Sequence, residues 1–187
     1  MKKIIFTGAQ GTGKSTILNY FKENGYPVIT EVVRTLAQNG IKINEEGTIR
    51  SQEIIFDTYK QIFSNCENVM LENVVFSDRG LTDVASYTAY LAIVEHNFDA
   101  MKLLIQELEE IREWNEKNDV VYFYFPIEFP VVDDGVRSTN EKYRNFIDNY
   151  IKFILDYLKV DYHTVTGTVE ERVKFIEDYL TSYPSPS

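Results

Sequence analysis

The sequence predicts one α/β domain, in which a central and mainly parallel five-stranded sheet is flanked by helices. Three observations predict it: the length of the chain, the alternation of short apolar runs with amphipathic stretches, and a glycine-rich turn directly after the first run. The 187 residues are slightly more than one domain of ordinary size. We therefore expect a single domain over residues 1–180 and a frayed tail over residues 181–187.

Five strands are expected from runs of strand length that are apolar on both faces. Such runs are typical of a parallel sheet whose two faces are both covered, rather than of an exposed antiparallel sheet. In chain order they are Lys3–Thr7, Pro27–Thr30, Asn73–Ser77, Val120–Phe125 and the weaker Tyr162–Val165.

Helices are expected between the strands, where apolar residues recur every three or four positions. The main stretches are Ser15–Asn24, Ser51–Ser64, Met101–Lys117 and Tyr143–Tyr157. Ser138 followed by Glu141 has the spacing of a capping box and predicts where the last of these helices begins. Strands that alternate with helices indicate βαβ units joined by right-handed crossovers.

Composition excludes several classes of protein. Lys and Arg total 19 against 29 Asp and Glu, and the net charge of −10 argues against broad nucleic-acid binding. The single cysteine, Cys66, excludes a disulfide framework and a cysteine-rich metal site, and is expected to be an ordinary buried thiol. No apolar run reaches the roughly 18 residues that span a bilayer, so a soluble, cytoplasmic protein is expected. His96 and His163 lack metal-ligand spacing and are expected to be structural.

The glycine-rich turn reads GAQGTGKS from Gly8 to Ser15 and matches the phosphate-loop pattern G-x-x-x-x-G-K-[ST] at every position. It follows the first strand and opens the first helix, so that backbone N–H groups and the helix N-terminus point at a bound anion. Lys14 is expected to reach the β- and γ-phosphates, and Ser15 to offer its hydroxyl to Mg²⁺. The residues expected to bind the nucleotide are Gly8, Gln10, Gly11, Thr12, Gly13, Lys14, Ser15 and Thr16.

The motif alone leaves kinases, GTPases, motors and AAA-type ATPases open as protein classes. The N-K-x-D motif with which GTPases read their base does not occur in the chain, and 187 residues leave little room for the additional elements of motors and AAA machines. A small kinase that uses ATP is therefore favoured, with the fold of a nucleoside- or nucleotide-kinase-like P-loop NTPase and a helical lid. Such an enzyme holds its second substrate at the carboxyl ends of the strands.

Glu31 directly follows the second strand, in the segment TEVVR. A carboxylate at this position could accept or orient the proton of an acceptor hydroxyl, and Arg34 could hold an anionic part of the acceptor. The alternative is a surface ion pair between the two residues at the start of a helix. We favour a substrate-binding role for both residues and a catalytic role for Glu31.

Asp78 ends the third strand, the position at which P-loop NTPases hold Mg²⁺. A catalytic and metal-binding role is expected for Asp78, with Ser15 as the other protein ligand of the metal. Arg79 is expected to touch the acceptor. The alternative for Asp78, a cap of the helix that follows Gly80, is compatible with metal binding.

After the fourth strand, the segment DDGVR places Arg137 seven residues before Arg144. The segment is expected to close over the triphosphate as a lid, where the Arg137 guanidinium would offset the charge that builds up in phosphoryl transfer. For Arg144 the sequence favours neither this role nor a solvated surface position. Gly167, after the fifth strand, is a candidate for the edge of the nucleobase.

Taken together, the segments GAQGTGKST, TEVVR, SDRGLTDVASY and FYFPIEFPVVDDGVRS with NEKYR resemble a small AAA-type P-loop kinase-like family. That family includes the ribosylnicotinamide kinase domain of the bifunctional NAD-biosynthesis regulator and many phage-encoded members. The similarity runs from Lys3 to about Arg172. It implies an ATP- and Mg²⁺-dependent kinase in which Glu31 and Asp78 are the acceptor-side and metal-side carboxylates and Arg137 lies in the lid. The adenylyltransferase domain that accompanies the NAD-pathway kinase is absent from this sequence. The resemblance therefore predicts the fold and the phosphoryl-transfer chemistry better than it predicts the substrate.

The leading hypothesis is Mg-ATP-dependent phosphoryl transfer to a small nucleoside, nucleotide or related metabolite. A second hypothesis keeps the chemistry but places the acceptor on a modified base in DNA, against which the negative charge argues. A third is a regulatory ATPase whose lid reports the nucleotide state to a protein or lipid partner. The expected partner is the small-molecule acceptor, with no membrane and, because of the charge, no nucleic acid. A homodimer is the assembly considered.

Overall fold

The computed structural model describes residues 1–69, 73–130 and 140–182, except for the side chains of residues 67–69. In chain order the elements are β1 (Lys2–Thr7), α1 (Lys14–Glu23), β2 (Val28–Ile29), α2 (Val32–Gln38), a short 3₁₀ helix (Asn44–Glu46), α3 (Ile49–Val69), β3 (Val74–Asp78), α4 (Leu81–Ile93), α5 (Phe98–Lys117), β4 (Val120–Tyr124), α6 (Glu141–Leu158), β5 (Tyr162–Thr164) and α7 (Val169–Ser182). Each of the five apolar runs forms a strand, which confirms the predicted fold class.

The strands form one sheet in the order β2-β3-β1-β4-β5, and all neighbouring strands are parallel. Phe6 in β1 lies opposite Asp78 in β3 and Phe123 in β4, so the three central strands end nearly level. Strands β2 and β3 lie toward one edge of the sheet from β1, and β4 and β5 lie toward the other edge. A crevice is expected at such a switch of direction, outside the carboxyl end of β1.

The side-chain alternation along β1 divides the core into two layers. Ile4 and Phe6 pack in a buried cluster with α1 and α7, whereas Ile5 packs in the larger cluster that α3, α4, α5 and α6 form on the other face. Successive strand side chains point to opposite faces, so a strand between two helical layers must be apolar at every position. The unbroken apolar runs in the sequence have this cause.

The start of α6 differs from the prediction. The helix begins at Glu141, and Asn140 is its N-cap: Asn140 Oδ1 accepts from the backbone N–H of Lys142 (3.1 Å) and of Tyr143 (3.2 Å). The assignment of the cap to Ser138 was therefore wrong, because asparagine caps as well as serine does and lies directly before the helix. Ser138 itself lies outside the described residues.

Helix α7 is not among the helices that the apolar periodicity predicts. A capping box marks its start: Glu171 Oε2 accepts from the Thr168 N–H (2.8 Å), and Thr168 Oγ1 accepts from the Glu171 N–H (3.2 Å). The T-x-x-E spacing is the sequence signal that could have revealed this helix. It runs to Ser182, two residues into the predicted tail, and the rest of the tail lies outside the described residues.

Candidate active site

The phosphate loop connects β1 to α1, and its three glycines have backbone angles that other residues rarely adopt. The φ angle is 140° at Gly8, 69° at Gly11 and 88° at Gly13. A Cβ atom at Gly8 would lie 2.4 Å from the carbonyl oxygen of Phe125, so no side chain fits there. Gly13 is the left-handed residue that precedes α1, and the helix N-terminus therefore opens directly onto the loop.

Lys14 is buried and folded onto this loop. Its Nζ donates to the carbonyl oxygens of Gly8 (2.8 Å) and Ala9 (2.7 Å) and to the hydroxyl of Thr12 (3.2 Å). The ammonium group is thus held within the concave loop, where the sequence predicts the β- and γ-phosphates.

Predicted site residues from two further strands face the same cleft as the phosphate loop. Residues 10–16 line it together with Glu31 and Arg34, which follow β2, and Asp78 and Arg79 at the end of β3. They meet because β2, β3 and β1 are adjacent and parallel and present their carboxyl ends at one edge of the sheet. The structure therefore brings together the predicted residues of the described chain, with Gly8 at the base of the loop. Arg137 lies outside the described residues.

Asp78 has a carboxylate oxygen that could take a metal ion. Its Oδ1 is buried, and no hydrogen-bond partner reaches it within the described ranges. Ser15, exposed in the first turn of α1, lines the same cleft. A hydroxyl and a carboxylate suit Mg²⁺, which is held by few protein ligands and completes its shell with water and phosphate oxygens. Both residues therefore fit the metal that the loop motif implies.

Glu31 and Arg34 are paired with each other. Arg34 Nε lies 3.1 Å from Glu31 Oε2, and both side chains are partly exposed. Glu31 has a φ of 61°, a left-handed conformation that is uncommon for a residue with a side chain and that concentrates at functional sites. The ion pair of the alternative interpretation is thus present, and the same pair lines the cleft.

Arg79 is held in place by α4. Its Nη1 donates to the hydroxyl of Tyr87 (2.9 Å) and lies 3.7 Å from Asp83 Oδ1, while the guanidinium stacks over the Tyr87 ring. Asp83 is buried and accepts from the backbone N–H of Gly80 (3.0 Å) and of Gly8 (3.4 Å), which links α4 to the phosphate loop. Burial raises the pKa of the Asp83 carboxyl, and the charge of Arg79 opposes that rise. Burial alone would lower the pKa of the Arg79 guanidinium, but Tyr87 and Asp83 raise it overall, so Arg79 stays charged.

A second cavity adjoins the cleft between α3, α4 and the segment after α2. Its lining residues are Val33, Ile43, Asn44, Gln52, Ile55, Tyr59, Arg79, Asp83, Val84 and Tyr87. The hydroxyls of Tyr59 and Tyr87 are both hydrogen-bonded within the protein. Tyr59 donates to the carbonyl oxygen of Asp78 (3.0 Å), and Tyr87 accepts from Arg79. The sequence patterns do not single out Gln52. It is only 3% exposed and lines this cavity beside Arg79.

Two buried arginines contact the phosphate loop, and neither is among the residues that line the cleft. Arg144 donates to the carbonyl oxygens of Gln10 and Gly11, and Arg172 donates to that of Thr12. Arg144 is therefore not a solvated surface residue. Arg172 was missed because the helix that carries it was missed. Arg172 and Gly167 also line a third cavity beside the loop, together with Gly11, Gly13 and Thr16.

The remaining polar candidates lie apart from the cleft. Cys66 is buried, and its thiol donates to the carbonyl oxygen of Phe63 (3.2 Å), as expected of a structural cysteine.

Among the described residues, no group of three or more His, Cys, Asp or Glu side chains could hold a metal ion. No helix of residues 1–69, 73–130 or 140–182 has the length and apolar character needed to cross a membrane.

The family model described as "AAA domain" matches residues 3–172 of the chain, which covers the loop, both carboxylates and Arg172. The chain belongs to this AAA-domain family. The match confirms the family that the motifs predict. No curated protein gives a match to this AAA-domain protein.

Solved structures of several kinases share the fold of this AAA-domain protein. Deoxyadenosine kinase from M. mycoides with bound dATP is 15% identical with a TM-score of 0.68, and the alignment covers 96% of this chain and 98% of that chain. The NadR protein in complex with NR is 18% identical with a TM-score of 0.73, over 97% of this chain and 51% of that chain. Thymidylate kinase from Ehrlichia chaffeensis is 15% identical with a TM-score of 0.63, over 96% and 98% of the two chains. At these identities the likeness establishes the fold.

Proposed function

We propose that this AAA-domain protein is a Mg-ATP-dependent kinase that phosphorylates a hydroxyl group of a small nucleoside-like molecule. ATP lies on Gly8–Thr16, with its base toward Gly167. Ser15 and Asp78 hold Mg²⁺, which supplies charge neutralisation on the phosphates. Glu31 orients the acceptor hydroxyl and takes its proton, and Arg34 and Arg79 position the acceptor. Arg137 stabilises the transferring phosphoryl group from the lid.

One observation carries the proposal: the cleft beside the phosphate loop continues into a second cavity. The two share the lining residues Val33, Ile43, Asn44, Tyr59 and Arg79. A kinase needs adjoining sites for donor and acceptor, whereas a nucleotide switch needs only the first. Gln52 supports an occupant in the second cavity, because its buried side chain lines that cavity with a carboxamide that can both donate to and accept from a ligand.

The charges around the second cavity favour a neutral acceptor over a nucleoside monophosphate. Among the described residues that line it, Arg79 is the one cation and Asp83 the one carboxylate, and they lie 3.7 Å apart. An acceptor phosphate would need positive charge in excess, since a buried anion is stable only when it is paired. Two of the three kinase neighbours support the same class, because NadR is solved with NR and another is a deoxyadenosine kinase, whereas the third is a thymidylate kinase.

The test is acceptor-dependent formation of ADP from Mg-ATP across nucleosides, nicotinamide riboside and nucleoside monophosphates. A neutral nucleoside-like acceptor is expected to stimulate ADP release, and the phosphorylated product should appear by mass spectrometry. Asp78→Asn should lower kcat at least about a hundredfold by removing a metal ligand, and Glu31→Gln about a hundredfold to ten-thousandfold by removing the base. Glu23→Gln, which alters an exposed carboxylate at the end of α1, is the matched control.

Two outcomes would contradict the proposal. Full activity of both variants with the true acceptor would remove Asp78 and Glu31 from the chemistry. Slow ATP hydrolysis that no acceptor stimulates, together with nucleotide-dependent capture of a protein or lipid partner, would favour the regulatory ATPase instead.

A further inference from the structure

Three successive carbonyl groups of the phosphate loop each accept a hydrogen bond from a buried guanidinium. Arg144 Nε donates to Gln10 O (2.9 Å) and Arg144 Nη2 to Gly11 O (3.1 Å), while Arg172 Nη1 donates to Thr12 O (2.7 Å). Both arginine side chains are only 3% exposed. We call Arg144 and Arg172 the arginine pair.

The contacts of the arginine pair determine where the next N–H groups point. In a planar trans peptide the C=O of one residue and the N–H of the next point in opposite directions. Carbonyls of residues 10–12 that face the arginine pair therefore turn the N–H groups of residues 11–13 away from the pair, and these three residues line the cleft. Within the described chain, no hydrogen bond engages these three N–H groups, so they are available to an anion.

We propose that the arginine pair are positioning residues that hold the outer carbonyls of the phosphate loop and thereby preset its anion-binding N–H groups. This inference rests on the proposed function, in that the loop receives a polyphosphate. It assigns to α6 and α7 a part in nucleotide binding that involves no contact with the nucleotide's reacting atoms.

Each arginine is anchored from a second direction, which makes the pair a rigid support. Arg144 Nη1 donates to Phe129 O (2.9 Å). Arg172 Nε donates to Gly167 O (2.9 Å), its Nη2 pairs with Glu128, and its guanidinium lies against the Phe129 ring. A planar guanidinium can make several such bonds in fixed directions at once, whereas a lysine ammonium cannot reproduce that geometry.

The same contacts argue against a direct catalytic role for Arg144. All three nitrogens of its guanidinium already donate to backbone carbonyls of the loop or of Phe129. Turning the guanidinium toward a phosphate would release the carbonyls of Gln10, Gly11 and Phe129, which need a donor. Gly13 is part of the arrangement, since a Cβ there would lie 2.9 Å from Arg172 Nη1.

The first test observes the loop without any ligand. The chain contains nine glycines, so ¹⁵N-glycine labelling gives a small set of amide resonances. In Arg144→Lys and Arg172→Lys proteins, the resonances of Gly11 and Gly13 should move while those of Gly25 and Gly40, in open surroundings, should stay. Arg112→Lys, which alters an exposed arginine of α5, is the matched control and should move none of them.

The second test measures affinity for inorganic tripolyphosphate and for ADP by calorimetry. Both lysine variants should bind both ligands about tenfold to a hundredfold more weakly, the range for a lost hydrogen bond from a charged donor, while Arg112→Lys binds as the wild type does. Loss for tripolyphosphate as well as ADP places the defect in the phosphate loop rather than in the base cavity. Affinities unchanged in folded variants would overturn the proposal, with or without moved resonances.

Failures of folding and of the proposed function remain distinguishable. If wild-type protein binds neither ligand, the nucleotide function fails, and the positioning role falls with it whatever the resonances show. If the lysine variants do not fold, Arg144→Gln and Arg172→Gln, which keep one short donor, replace them. If these also fail to fold while Arg112→Lys folds, the arginine pair is structural and the proposal is overturned.

Discussion

Glu107 is expected to make the stability of this protein fall as the pH rises. The carboxyl group is on α5, is 2% exposed, and faces α4, where Thr88 Oγ1 donates to its Oε1 (3.1 Å). The other oxygen, Oε2, is buried without a partner among the described residues. Burial raises the pKa of Glu107 from 4.5 to about 8, and the charges of Glu110 and Glu53 add to the rise, although the Thr88 hydrogen bond opposes it.

The direction follows from proton uptake. Between pH 4.5 and pH 8 the folded protein keeps a proton on Glu107 that the unfolded chain has released, so the free energy of unfolding falls with rising pH. Each pH unit in this interval costs about 1.4 kcal/mol. The contribution of Glu107 is complete below pH 4.5, has fallen by roughly 3 kcal/mol at pH 7 and by about 5 kcal/mol at pH 8, and changes little above that.

Urea unfolding from pH 5 to pH 9 measures this effect. Glu107→Gln removes the titration and keeps an acceptor for Thr88, so its stability relative to wild type should increase by about 3 kcal/mol between pH 5 and pH 7.5. Glu109→Gln, in an exposed position on the same helix, should run parallel to wild type. A difference between Glu107→Gln and wild type that stays constant over the range would refute the reasoning.

Two further predictions concern the cleft and its neighbouring cavity. Gly8→Ala should abolish ADP binding or unfold the protein, because its Cβ would lie 2.4 Å from Phe125 O. The control is Gly40→Ala, at a φ of 88° but in open space, which should lower the free energy of unfolding by only about 1 kcal/mol in thermal unfolding. Gln52→Leu should reduce kcat/KM for the acceptor about tenfold or more and leave the KM for ATP unchanged, since the carboxamide lines only the second cavity. A parallel change in the KM for ATP would contradict that assignment.

The strands and the contents of the cleft could be predicted because their signals are local. A strand covered on both faces must be apolar throughout, so the five runs were readable without knowledge of the fold. Asp78 and Glu31 were found because each follows such a run, and parallel strands end at one edge. The phosphate loop was readable because its glycines, Lys14 and Ser15 are consecutive in the chain.

The start of α6 was predicted wrongly and α7 was missed. Both are marked by short capping signals rather than by a long periodic pattern. Ser138 and Asn140 are both good capping residues two positions apart, and the structure has Asn140 as the N-cap of α6. The capping box of α7 was present in the sequence at Thr168 and Glu171, but the apolar periodicity of that helix did not mark it.

Sequence patterns alone predict the α/β class, the order of the strands along the chain, and a phosphate loop followed by carboxylates at two strand ends. These depend on side-chain periodicity and on backbone conformations that a few neighbouring residues impose. Packing of the folded chain brings Arg144 and Arg172 against loop residues 133 to 160 positions away, and it buries Gln52 beside Arg79. Which arginine or glutamine meets which distant backbone group depends on how whole helices pack on the sheet, and no local pattern of residues encodes that geometry.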